Sequence, residues 1–129
     1  MSAVLDTNAL VYDTFEDSVL HSKAKAGLDG LERWHIPTIV IHEYVWFMKG
    51  QGIDLSFAKD KVIEYVTHEK AEIVRDDADG ILFSIERISG YRYYNDYVIL
   101  AVAKRLGRPL FTFDNRLREA ASRVGVEVI

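Results

Sequence analysis

Ala3-Val4-Leu5-Asp6-Thr7-Asn8-Ala9-Leu10 is the stretch on which the reading of this chain turns. A short apolar run ends in an acid, and Thr and Asn follow before more apolar residues. That pattern predicts a buried strand whose carboxyl end delivers Asp6, with Asn8 placed to cap the helix that follows. In an open α/β sheet, ligands bind at the carboxyl ends of the strands, which is where Asp6 would stand. Asp and Asn also make ordinary strand-to-helix turns, so this stretch gives a position for chemistry without proving any.

Working outward, strands and helices alternate. Asn8 to about Tyr12 reads as a short helical turn, and Asp17 to about Trp34 as an amphipathic helix weakened by Gly27 and Gly30. His35-Ile36-Pro37 starts a second strand. A nearly all-apolar helix capped by Thr38 runs on to Gly50, with Glu43 as its one acid; it should be buried or meet a partner. Another helix, from about Ser56 to His68, should turn Phe57, Ala58, Val62, Ile63 and Val66 inward. Ala71–Val74 is a third strand. The helix after it carries Asp76, Asp77 and Asp79 in its first turn and presents Ile81, Leu82, Ile85 and Ile88 as its core face. After the aromatic loop Tyr91–Tyr94, a helix capped by Asn95 runs to Gly107. Pro109–Phe113 is a fourth strand, Arg116–Val124 a last helix and Val126–Ile129 a fifth strand. This alternation predicts one α/β domain over residues 1–129, a parallel sheet sandwiched between helical layers.

At 129 residues and half hydrophobic, the composition is that of one globular domain. No apolar run approaches the roughly 20 residues that span a bilayer, so no membrane role is expected. The absence of cysteine excludes disulfides and thiolate metal sites and points to a cytoplasmic protein. A net charge of −4 argues against nucleic acid at first sight. Yet Lys104, Arg105, Arg108, Arg116 and Arg118 stand together against the single acid Asp114, a local patch that can attract phosphate.

Asp6 and Asp114 each end a strand, and right-handed crossovers put those ends on one edge of the sheet. Asp96 opens a helix, and Glu43 lies near the start of the helix leaving strand two, so all four acids can face one cleft. Asp96 and Asp114 also suit helix N-termini, whereas Glu43 in an apolar helix needs a partner or a metal. Four crowded carboxylates repel one another, and a hard divalent cation, Mg²⁺ or Mn²⁺, removes the difficulty with oxygen ligands alone. His21, His35, His42 and His68 are scattered and offer no zinc spacing.

Leu5-Asp6-Thr7-Asn8, Ile41-His42-Glu43-Tyr44, Asn95-Asp96-Tyr97-Val98-Ile99-Leu100-Ala101-Val102-Ala103 and Thr112-Phe113-Asp114, in that order, resemble the PIN-domain family. More narrowly they are similar to the VapC-type ribonuclease toxins of bacterial and archaeal toxin–antitoxin pairs. The resemblance spans essentially the whole chain. It implies a five-stranded sheet ordered 3-2-1-4-5 and Mg²⁺- or Mn²⁺-dependent cleavage of single-stranded RNA. Asp6, Glu43, Asp96 and Asp114 match the family's metal-binding acids, and Asn8 and Thr112 its supporting polar positions. Lys104, Arg105, Arg108 and Arg116 are then candidate RNA contacts, and Tyr91, Tyr93, Tyr94 and Tyr97 candidate base-stacking rings, although aromatic packing suits the tyrosines as well. A small VapB-like antitoxin and a homodimer partner are implied too. Tyr12, Phe15, Val19, Trp46 and Phe47 are the apolar residues in the region such an antitoxin would cover.

Two strand-end-aspartate alternatives fit less well. A dehalogenase-like phosphoryl-transfer domain wants a second acid where Asn8 stands, and a receiver-like domain wants paired acids before its first-strand aspartate. A PIN-type nuclease of RNA maturation or quality control, and a non-catalytic RNA-binding module, remain the other expectations.

Overall fold

A computed structural model describes residues 1–129. Its centre is β1 (Ala3–Leu5), every residue of which is buried, flanked by β2 (Trp34–Pro37) and β4 (Leu110–Phe111); β3 (Ala71–Val74) adds to β2. All pairings are parallel and the order is β3-β2-β1-β4. A strand covered on both faces must be apolar throughout, which is why β1 reads as a continuous run. The expected fifth strand is the one correction to the sheet. Val126–Ile129 does run beside β4, but it meets it only at a single parallel bridge, Leu110 with Val128. The sheet therefore has four strands, because β4 is only two residues long and offers Val126–Ile129 too short an edge for a ladder.

The helices are α1 (Thr7–Thr14), α2 (His21–Gly30), α3 (Thr38–Gly50), α4 (Leu55–Val66), α5 (Ala78–Arg87), α6 (Tyr94–Leu106) and α7 (Asn115–Arg123). A 3-10 turn at Tyr91–Tyr93 leads into α6. Gly107 ends α6 at φ 63°, a left-handed conformation that glycine adopts without strain. In α2, the Phe111 ring occupies the space that a Cβ on Gly27 would take, so that glycine serves packing at the expense of helix propensity.

Two helices turn differently from their periodicity. In α5, Ile81, Leu82 and Ile85 face solvent, while Gly80, Phe83 and Ser84 face the protein. Gly80 and Ala101 are small enough to let α5 lie close on α6, and the buried Ser84 hydroxyl donates to the Gly80 carbonyl at 2.8 Å. Close backbone approach wins over the larger apolar stripe. In α4, Phe57, Ile63 and Val66 are exposed, and Tyr65 is the buried residue. Its hydroxyl donates to Asp13 at 2.6 Å and lies 3.1 Å from the Thr14 hydroxyl, which in turn meets Tyr44 at 2.7 Å. A tyrosine can enter the core when its hydroxyl finds partners. Burial pushes the Tyr44 phenol up to about 12 against the Thr14 hydrogen bond, and the charges of Asp13 and Glu64 add to the rise. α3 buries Val40, Tyr44 and Met48 but leaves Trp46 and Val45 outside. No helix is long and apolar enough to cross a membrane.

Candidate active site

Asp6 follows β1 directly, and its N–H donates to the Phe111 carbonyl at 3.0 Å, so it is anchored as if it were one more strand residue. It is also the N-cap of α1, accepting from the Thr7 N–H at 2.7 Å through Oδ1. The cap role expected of Asn8 thus belongs to Asp6. Asn8 instead spans to the next strand end, where its Oδ1 accepts from the Phe113 N–H at 3.2 Å and its Nδ2 donates to Thr112 Oγ1 at 3.5 Å.

Thr112 is fully buried at the hub. Its hydroxyl donates to Asp6 Oδ2 at 2.7 Å and accepts from the Asp114 N–H at 3.0 Å. One side chain therefore joins the acids that end β1 and follow β4. Asp114 caps α7 by accepting from the N–H groups of Arg116 and Leu117 at 2.9 and 3.4 Å. Removing the hydroxyl with Thr112→Val keeps the volume but deprives Asp6 of a charge-assisted hydrogen bond. This variant is expected to stay folded by circular dichroism and to bind Mn²⁺ about 10- to 100-fold more weakly in a calorimetric titration. Unchanged affinity would show the hydroxyl to be a packing group only.

Glu43, alone in its apolar helix, is met by two donors. Thr7 Oγ1 donates to its Oε1 at 2.5 Å, and Asn95 Nδ2 to its Oε2 at 3.1 Å. Asn95 was expected as a helix cap, but α6 already begins at Tyr94, the cap position is Tyr93 and no side chain caps it. The amide is used across the cleft. Thr7 and Asn95 are the residues of this network that sequence reasoning assigned otherwise or left open. Their adjacency to Asp6 and Asp96 was the available signal.

The charges of these acids bear on one another. Burial raises the Asp6 carboxyl to about 6 against the hydrogen bonds from Thr112 and Thr7, and the charges of Glu43 and Asp96 push it further. Burial likewise raises Asp96 to about 6; Arg116 opposes the rise, and Asp114 and Glu43 add to it. No three His, Asp or Glu side chains stand close enough to form a ready-made metal cage. Asp6, Glu43 and Asp114 have oxygens engaged by Thr7, Asn95, Thr112 and the α7 backbone. The donor set still suits a hard divalent cation: carboxylate oxygens, no thiol and no imidazole among them. His21 Nδ1 lies 2.9 Å from the Tyr12 carbonyl, His35 lies 3.6 Å from Glu72 and His68 stacks on Trp34, so these three are engaged elsewhere.

The basic candidates divide. Arg116 stands at the rim, its Nη2 3.8 Å from Asp96 Oδ2. Lys104 and Arg105 lie at the opposite end of α6, about 12 Å of helix from Asp96, and Arg108 follows beyond Gly107. Lys104 donates to the Val124 carbonyl at 2.9 Å, while Arg105 pairs with Asp77 at 2.8 Å and donates to the Arg75 carbonyl. Lys104, Arg105 and Arg108, expected as RNA contacts, therefore stand away from the acids, because a helix rooted at the site by its first turn carries its last turn away. Arg118 donates to the Thr112 carbonyl at 2.7 Å and supports the hub. Of the tyrosines, Tyr97 packs on the core, Tyr91 is 95% exposed, and the Tyr93 ring lies under the Arg92 and Arg116 guanidinium groups at 4.8 and 5.0 Å.

The family model described as PIN domain matches residues 3–123. No curated protein matches the chain in sequence. Among solved structures, the chain is similar to Mycobacterium tuberculosis VapC20, a sarcin-ricin loop cleaving toxin. The identity is 16% and the TM-score 0.79, over 92% of this chain and 94% of that one. VapBC2 from Rickettsia felis, bound to a DNA fragment from its promoter, matches with TM-score 0.72 and 17% identity over 100% and 98%. A toxin–antitoxin complex from Klebsiella pneumoniae matches with TM-score 0.66 and 22% identity over 88% of each chain. At such identities the likeness is one of fold.

Proposed function

The chain belongs to the PIN-domain family, and from that premise we propose that it is a metal-dependent endoribonuclease of single-stranded RNA, the toxin of a VapBC-type toxin–antitoxin pair. The observation that carries this reading is that hydrogen bonds tie the segments bearing the four acids together: Thr112 joins Asp6 to Asp114, and Thr7 and Asn95, the chain neighbours of Asp6 and Asp96, both hold Glu43. Such crowding is unfavourable in the free protein and is relieved by a cation.

In this reading Asp6 and Asp96 are the main holders of Mg²⁺ or Mn²⁺, and Glu43 and Asp114 complete the site or orient the attacking water. The bound metal supplies an activated water and stabilises charge on the phosphodiester. Thr112 and Asn8 fix the carboxylate orientations, and Thr7 and Asn95 hold Glu43. Arg116 offers a cation at the rim for the RNA backbone.

The partners follow the same reading. Val11, Tyr12, Phe15, Phe47 and Ile53 line a groove of about 370 Å³, supporting an antitoxin segment laid over α1 and α3. The solvent-facing Ile81, Leu82 and Ile85 of α5 support a homodimer. The test is incubation of the purified protein with defined single-stranded RNAs. Cleavage is expected with Mn²⁺ and none with EDTA, and millimolar Mn²⁺ should raise the Tm at pH 7.5 by several degrees. Cutting in EDTA, or no cutting of any RNA, would overturn the assignment.

A further inference from the structure

Arg116 is fixed between two of the candidate metal-binding acids. Its N–H donates to Asp114 Oδ1 at 2.9 Å, which pins its backbone at the start of α7. Its guanidinium lies 3.8 Å from Asp96 Oδ2 and over the Tyr93 ring. Beside that pair, a cavity of about 310 Å³ opens between α6 and α7, lined by Tyr93, Asp96, Arg116 and the Glu119–Arg123 pair, whose charges oppose each other at 3.9 Å.

We propose that Arg116 is the internal counter-ion of the acid cluster, exchanged at Asp96 for the divalent cation and thereby released to hold the RNA backbone. This deepens the metal-dependent reading and rests on it. The exchange is favoured by charge. A divalent ion carries twice the charge of a guanidinium and sits closer to the carboxylate oxygen than 3.8 Å. The Arg116 side chain is half exposed, so its pair with Asp96 is a weak one that is readily given up. Two cations beside one carboxylate repel, and the long arginine side chain, pinned only at its backbone, has the adjoining cavity to move into. There its planar fork suits a phosphate. In the absence of metal, the same contact offsets part of the repulsion among the acids.

The consequence is a signed coupling that an ordinary rim contact lacks. Arg116→Gln should bind Mn²⁺ more tightly than the wild type while handling RNA less well. In calorimetric titrations at fixed ionic strength and without RNA, Arg116→Gln is expected to bind Mn²⁺ about three- to tenfold more tightly. Arg123→Gln, which removes a cation from the same cavity but not from Asp96, should stay within about twofold of wild type. At saturating Mn²⁺, Arg116→Gln should show KM for single-stranded RNA raised about fivefold or more, with kcat much less affected. Equal or weaker Mn²⁺ binding by Arg116→Gln, an equal tightening in Arg123→Gln, or an unaltered KM would overturn the exchange and leave the nuclease reading standing. Failure of every variant to bind Mn²⁺ would instead overturn the metal-dependent reading, and the exchange with it.

Discussion

Asp6→Asn is expected to abolish RNA cleavage, by about a thousandfold or more, while making the metal-free protein more stable at neutral pH. The loss follows from removing the charge that faces the proposed cation at the carboxyl end of the central strand. The gain follows from burial. Asp6 is 7% exposed, and its carboxyl is raised from 3.8 to about 6. The folded protein therefore binds this proton more tightly than the unfolded chain does, and its stability falls as pH rises from about 4 through about 6. Above that window the shift represents roughly 3 kcal/mol of strain at this one group. Asparagine keeps the acceptor for the Thr7 N–H but loses the charge-assisted bond from Thr112, so a net gain of about 1–2 kcal/mol is expected. Thermal unfolding in EDTA should show Asp6→Asn melting several degrees above the wild type at pH 7.5, with the gap closing towards pH 5. Added Mn²⁺ should narrow it as well, by stabilising only the wild type. A variant that melts lower at pH 7.5, or a gap that ignores pH, would mean that Asp6 is not under this strain. Retained cleavage would remove it from the mechanism.

The second large effect is structural and reaches the site through α7. This helix buries only Leu117, Ala120 and Ala121, and Leu117 is its one large apolar anchor, fully inaccessible. Leu117→Ala should destabilise the protein by about 3 kcal/mol through lost transfer energy and the cavity left behind. For a chain of this size, that lowers Tm by roughly 10 °C. Because so little else holds α7, its capping contacts to Asp114 should loosen first, and cleavage should fall even at temperatures where the sheet is intact. Leu82→Ala is the informative comparison. Leu82 is as large and as apolar but 56% exposed, and its truncation should leave the monomer's stability within about 0.5 kcal/mol. If calorimetry at concentrations too low for pairing through α5 found the two equally costly, Leu82 would be a core residue of the monomer.

That contrast shows where sequence was legible. Leu117 and Leu82 sit in helices of equally clear period, and nothing local says that one stripe is core and the other surface. The decision came from Gly80 and Ala101, whose small size lets α5 and α6 approach until Ser84 faces inward and Ile81, Leu82 and Ile85 face out. Asn95 carries the same lesson. Its local signature is a helix cap, yet its amide points to Glu43, fifty-two residues earlier in the chain. Val126–Ile129 has a strand's composition but reaches the sheet at one bridge only, since pairing depends on what lies alongside.

The parallel core, the position of Asp6 and Asp114 beside strand ends, the end of α3 at Gly50 and the left-handed stop at Gly107 were legible in the residues alone, whereas Thr38, expected to cap α3, is its first helical residue and Pro37 holds the cap position. The legible features follow from short-range physics: apolar runs seek burial, parallel strands need crossover helices, and glycine tolerates positive φ. Contacts across the fold settled which apolar stripes are covered, that Thr112 links two acids through one hydroxyl, and that Arg116 rather than Lys104, Arg105 or Arg108 meets the carboxylates. Those outcomes depend on distances of a few ångströms between segments far apart in the chain, and hydrogen bonds and close packing are decided at that range.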